Sequence, residues 1–199
     1  MRSPPPSLQS VLDRAIRAHA PLLLPTRAAL SVGELRCGRL GGFPEGALVV
    51  GDDMTAGVVV PPAPGRSVSA VLTFEPHSAL GVIEPFSGAH GTSVLDRYLA
   101  FGHGVVQTLS TAALGAAGAP SPLARLEEGS VAAILLSTHA PPDATLLSAE
   151  IRVRTETRVL RGVYYLLCDA KELVSRGHGR LATSDSQAGA GSRQRPPVS

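Results

Sequence analysis

Leu12-Asp13-Arg14 leads through His19 to Arg27-Ala28-Ala29-Leu30, and Leu95-Asp96-Arg97 leads through His103 to Thr111-Ala112-Ala113-Leu114. The two histidines and the two closing leucines are separated by the same interval, with the aspartates one position out of step. A second echo sets Ala70-Val71-Leu72-Thr73-Phe74 and His77-Ser78-Ala79-Leu80 against Val163-Tyr164-Tyr165-Leu166-Leu167 and Ala170-Lys171-Glu172-Leu173. A helix, strands and a strand-then-helix laid down twice predict internal two-fold pseudosymmetry, with the functional surface on equivalent elements.

Hydrophobic spacing fills in the elements. Leu8, Val11, Leu12, Ala15 and Ile16 recur at intervals of three and four and predict a helix, with Pro21 and Pro25 expected to kink or break its second half. Alternating or β-branched runs predict strands at Leu30–Cys37, Ala47–Gly51, Gly57–Val60 and Val68–Phe74. Pro76 opens a short helix carrying Ala79, Leu80 and Ile83. Ser93 followed by Asp96 is a capping-box variant that starts the longest helical pattern, Val94 to about Leu114, and Gly115, Gly118 and Pro120 end it. Further strands are expected at Val131–Ser137, Leu146–Thr155 and Val159–Leu167, with a last helix from Ala170 to about Val174. Strands without regular crossover helices predict an α+β fold: two pseudo-repeats forming an antiparallel sheet with two long helices packed on it. Residues 1–6 are a Pro-rich disordered entry, 7–174 one domain with repeats of about 8–90 and 91–174, and 175–199 a disordered polar tail.

Composition narrows the function classes. The chain has 199 residues, 44% hydrophobic and 17% charged, which is a globular balance. A net charge of +2, no tryptophan and 4% aromatics argue against a nucleic-acid surface. Cys37 and Cys168 stand apart from each other and from histidines at metal spacing, so no metal and no cofactor is expected and a reducing compartment fits. No signal peptide and no bilayer-spanning run is visible, and the expected location is the cytoplasm.

The element order resembles the CheC/CheX family of chemotaxis phosphatases, whose fold is shared by the middle domain of the flagellar switch protein FliM. The resemblance covers roughly residues 8–174. It rests on the Gly-containing helix Leu99-Ala100-Phe101-Gly102-His103-Gly104-Val105, its Ala-Ala-Leu end, Pro122, and Arg161-Gly162-Val163-Tyr164-Tyr165-Leu166-Leu167 before Asp169. In the family this helix carries a Glu and an Asn three residues apart. The resemblance implies docking on a phosphorylated receiver domain, where the Glu meets a receiver lysine and the Asn positions the attacking water, so that catalysis is positioning.

The matching positions here are Ala100 and His103, and in the first repeat Ile16 and His19. An aliphatic side chain neither accepts an ammonium hydrogen bond nor orients a water. Losing one charge-assisted contact costs on the order of 1.5–3 kcal/mol, roughly ten- to a hundredfold in rate. A rescued phosphatase site would use His103 and Gln107, which with Asp96 share one helical face. On the bland reading Asp96 is a cap, His103 a boundary histidine and Gln107 a solvated polar residue.

The expected partner-binding face is therefore Asp96, Ala100, His103 and Gln107. The expected partner is a CheY-like receiver domain or another chemotaxis protein, with phosphatase activity weak or lost, no membrane insertion, and homodimerisation left open. Two other classes stay open: a flagellar-switch-like structural adaptor, and a small-molecule-binding domain with a deep apolar pocket between sheet and helices. His90-Gly91-Thr92-Ser93 lacks the elbow of a serine hydrolase, and the glycines at 38, 41, 42 and 46 form no phosphate loop. Glu150, Arg152, Arg154 and Glu156 alternate with Ile151, Val153 and Thr155, as on an outer strand with one wet face.

Overall fold

The computed structural model describes residues 7–24, 28–49, 55–74, 93–115 and 120–174. The expected helix after Pro76, both expected disordered ends and the boundary between repeats lie outside them, as do the last two positions of the expected 47–51 strand. Ala47–Val49 are not in a strand.

The first helix, α1, runs Leu8–Leu23 and buries Leu8, Leu12, Ile16 and Ala20 at every fourth position. The Ser7 hydroxyl caps it by accepting the Ser10 N–H at 3.3 Å. Of the kink or break expected in its second half, no break occurs at Pro21: the helix passes through it and ends at Leu23. The proline sits in the last turn, and Leu24 N–H still reaches the Ala20 carbonyl at 2.9 Å, so the ring's missing donor does not end the helix.

Six strands follow: β1 (Ala29–Arg39), β2 (Thr55–Val60), β3 (Ser69–Phe74), β4 (Arg125–Gly129), β5 (Thr145–Arg154) and β6 (Val159–Cys168). The second long helix, α2 (Val94–Leu114), lies between β3 and β4 in sequence, and two short helices, α3 (Val131–Leu136) and α4 (Ala170–Val174), complete the described elements. One antiparallel sheet is formed in the order β1-β5-β6-β3-β2-β4. Exchanging β1 with β4, β5 with β2 and β6 with β3 turns that order into its own reverse. Each outer strand thus pairs with a strand from the other half of the chain, and α1 packs directly on α2.

Most of the core lies between the sheet and the two long helices. Leu12 and Ile16 of α1 and Val105 and Leu109 of α2 meet Val58, Leu72, Ile151 and Tyr164 of the sheet, all fully buried. Each such side chain contributes about 1.5–3 kcal/mol by leaving water. A smaller cluster occupies the other face, where Val131, Ile134 and Leu135 of α3 cover Val59, Val71, Val163 and Tyr165.

Two expectations are corrected here. Val131–Ser137 is a helix and not a strand: Ser130 caps it by accepting the Ala133 N–H at 3.2 Å, and its buried residues follow helical spacing. Ala132 and Ala133 inside the apolar run favour that state. The charged alternation around Arg152 belongs to β5, which is flanked by β1 and β6, and so lies inside the sheet. The outer strands are β1 and β4, and the short acidic β4 was not foreseen.

Candidate functional site

The candidate face lies on α2, whose frame is set at both ends. Ser93 Oγ accepts the Asp96 N–H at 3.0 Å, the first half of the expected capping box, and donates to Asp96 Oδ2 at 2.7 Å, so the carboxylate meets the Ser93 hydroxyl in place of its backbone N–H. Gly115, with φ of 73°, ends the helix in a backbone conformation that glycine adopts freely. Gly102 lets the helix approach Val58 of β2, and Gly104 receives Leu23 of α1.

Four side chains were expected on one face, and the structure brings two of them together. Gln107 Nε2 lies 3.2 Å from His103 Nε2 and donates to the Ser121 carbonyl at 2.7 Å. Because that carbonyl can only accept, the amide orientation is fixed. His103 Nε2 therefore accepts, and the ring proton resides on Nδ1. Partial burial lowers the pKa of His103 from its ordinary 6.5, favouring the neutral ring. Asp96 is exposed and engaged with Ser93, and Ala100 is exposed between the two sites.

The first-repeat counterparts differ. Ile16 is fully buried in the core, whereas His19 is exposed on α1 with Nδ1 3.0 Å from the Ala15 carbonyl. Only α2 presents its Glu-equivalent position, Ala100, to solvent.

The chemical capacity of the face follows from these bonds. Both amide hydrogens of Gln107 are committed to protein acceptors, and so is the lone pair on His103 Nε2. No carboxylate stands at position 100. The arrangement is a polar staple between α2 and the segment at Ser121, beside a small, smooth exposed surface at Ala100. Sequence reading did not find Ser121, because its carbonyl is a backbone group that carries no residue signature.

Other chemistry is sparse among the described residues. No group of three or more His, Cys, Asp or Glu is placed to hold a metal ion, and no helix is long and apolar enough to cross a membrane. Burial raises the Cys37 thiol and pushes Cys168 up to about 12. A groove of about 280 Å³ lies against α3, on the sheet face opposite α1 and α2, and is lined by Leu40, Phe43, Leu135, Leu136 and Pro142. It is therefore not the pocket between sheet and long helices that a small-molecule-binding domain was expected to show.

No protein-family model matches this chain, and no curated protein does. Solved structures do. FliY of Thermotoga maritima superimposes with a TM-score of 0.57 at 15% identity, covering 88% of this chain and 96% of FliY. The FliM middle domain from H. pylori gives 0.54 at 12% identity, covering 84% of this chain and 92% of that one. The H. pylori FliG–FliM complex gives 0.55 at 12% identity, with 84% and 94% covered. At these identities the likeness is one of fold: the expected α+β architecture is that of the FliY and FliM middle-domain structures.

Proposed function

We propose that this chain is a protein-binding domain of chemotaxis or flagellar-switch signalling. It docks a CheY-like receiver domain or a related cytoplasmic signalling protein on the outer face of α2, at Asp96 and Ala100 and along the His103 edge, and it does not hydrolyse aspartyl phosphate. The observations that carry this reading are that both Gln107 amide hydrogens are tied to Ser121 and His103, leaving only its Oε1 to meet a water, and that position 100 brings no carboxylate beside it. Ala100 supplies no partner for a receiver lysine. The fold shared with FliY and FliM supports the signalling setting.

The test is to incubate the full chain with phosphorylated receiver domains and follow both binding and loss of phosphate. The expected result is binding that weakens in Ala100→Arg, with phosphate lost at the receiver's own rate. Accelerated loss that disappears in His103→Ala or Gln107→Ala overturns the inactive reading.

A second reading, a flagellar-switch-like structural adaptor without receiver contact, is favoured by the likeness to the H. pylori FliG–FliM complex. Its mark is binding to a FliG-like protein with no affinity for any receiver.

A further inference from the structure

The part of the sheet that α3 leaves uncovered carries a second surface, independent of α2. β5 and β6 place Arg152 directly opposite Arg161, and Arg154 follows two positions along the same face. All three are exposed. Like charges directly opposite on neighbouring strands are destabilising unless something compensates them. Here one carboxylate serves both: Glu150 accepts from Arg152 at 2.6 Å and stands 3.7 Å from Arg161.

Glu150 lies beneath the guanidiniums, its side chain 13% exposed against 48% for Arg152 and 67% for Arg161. The hydrogen bond from Arg152 holds its carboxyl below the usual carboxylate range, so it is ionised and already spent. Of the other acids nearby, Glu34 on β1 pairs with Arg36 at 2.7 Å, and Glu156, two positions beyond Arg154, is itself engaged. Arg152 and Arg161 therefore share one half-buried carboxylate, and Arg154 stands beside them with the half-exposed Val159 directly opposite. Edge protection does not explain these charges, because β5 and β6 are interior strands. No described helix or loop packs over them.

We propose that this arginine face of β5 and β6 docks an acidic segment of a partner protein, with carboxylates received between Arg152, Arg161 and Arg154 and a small apolar side chain against Val159. Planar guanidiniums bind carboxylates in paired hydrogen bonds, which suits this chemistry. The small extent of the patch, the chain's net charge of +2 and its single lysine, Lys171 on α4, favour a short acidic polypeptide over a nucleic acid or an anionic bilayer.

The experiment measures fluorescence anisotropy of a labelled, alternating Glu–Val peptide titrated with the full chain at low salt. Anionic phosphatidylglycerol vesicles and single-stranded DNA form the other arms. Arg154→Glu, at the exposed end of β5, should weaken peptide binding roughly three- to tenfold, and Arg152→Gln with Arg161→Gln should abolish it. Glu150→Gln, which frees both guanidiniums, should tighten it. Arg14→Glu, an equal charge change on the exposed side of α1, should leave it unchanged. The proposal fails if the peptide does not bind, if Arg14→Glu weakens binding as much as Arg154→Glu, or if only vesicles or DNA show the dependence on Arg154. Circular dichroism of each variant separates lost binding from lost fold.

Discussion

Gln107 on α2 donates a 2.7 Å hydrogen bond to the carbonyl of Ser121, and Ser121 in turn donates its own N–H to the Pro61 carbonyl just beyond β2. The helix that presents the candidate docking face is thereby fastened to the sheet through the segment at Ser121. Removing the amide leaves the Ser121 carbonyl and His103 Nε2 without their donor in a half-buried place. Gln107→Ala should therefore cost about 1–3 kcal/mol of folding stability. Ser121→Ala keeps the backbone carbonyl and loses only the contact from the Leu123 N–H to the hydroxyl, so it should cost less. Urea denaturation of both variants checks the order, and an equal or reversed order would remove the staple.

His103 predicts a pH dependence. Its folded pKa is lowered by burial, so the folded state holds the neutral ring more strongly than the unfolded chain does. As pH falls below the ordinary value of 6.5, the unfolded chain takes up the proton first. This contribution is thus complete above that value and is lost as pH drops through it toward the lowered folded pKa. Melting temperatures between about pH 7.5 and 5.5 should fall less in His103→Gln, which cannot titrate in that window, than in the parent chain. Equal falls would show that the ring is not the group responsible.

Much of the fold was legible in the sequence because its determinants are local. Ser93 and Asp96 fix the start of α2 through a bond pattern spanning one turn, and Gly115 fixes its end. The buried positions of α1 follow the helical period, and β5 alternates as it reads from Ala149 to Arg154. What was not legible depends on tertiary placement. Val131–Leu136 is a short, wholly apolar run whose period is ambiguous until Ser130 and the sheet beneath decide for a helix. Whether the Arg152 run lies at an edge or inside depends on β1 crossing to pair with β5, more than 100 positions away. In the candidate site the residue types on α2 were readable, but the acceptor that commits Gln107 is the backbone of Ser121.

The two aspartates of the repeated Leu-Asp-Arg do different work, and the difference is measurable. The Asp96 carboxylate accepts the hydroxyl of Ser93, the cap of its own helix, whereas Asp13 Oδ1 accepts the Val32 N–H of β1 at 2.9 Å. Gln9 Nε2 takes the neighbouring Gly33 carbonyl at 2.6 Å. Together they cover outward-facing backbone groups of an outer strand, groups that would otherwise invite pairing with another chain. Asp13→Ala should cost about 1 kcal/mol and raise hydrogen exchange at the Val32 amide several-fold, while Asp13→Asn, which keeps an acceptor oxygen, should restore most of the protection. An unchanged exchange rate in Asp13→Ala would show that α1 does not guard this edge.

Gly102 and Gly104 separate the two packing partners of α2. A Cβ at Gly102 would stand 2.5 Å from Val58 Cγ2 and 2.9 Å from Val58 Cβ, and Val58 is fully buried in an interior strand. Turning the Val58 side chain does not move its Cβ, so the contact cannot be relieved by rotation, and Gly102→Ala should cost about 1–3 kcal/mol as α2 is pushed from the sheet. A Cβ at Gly104 meets Leu23, whose Cδ2 is the nearest atom and whose Cγ is 3.8 Å away. That contact is the far end of a flexible side chain in the last turn of α1, and it can turn aside. Replacing a helical glycine by alanine contributes up to about 1 kcal/mol. Gly104→Ala should therefore be neutral or stabilising under urea denaturation while Gly102→Ala unfolds early. A comparable loss from both substitutions would mean that the end of α1 is held against α2 as firmly as β2 is, and that the docking face is braced from two sides instead of one.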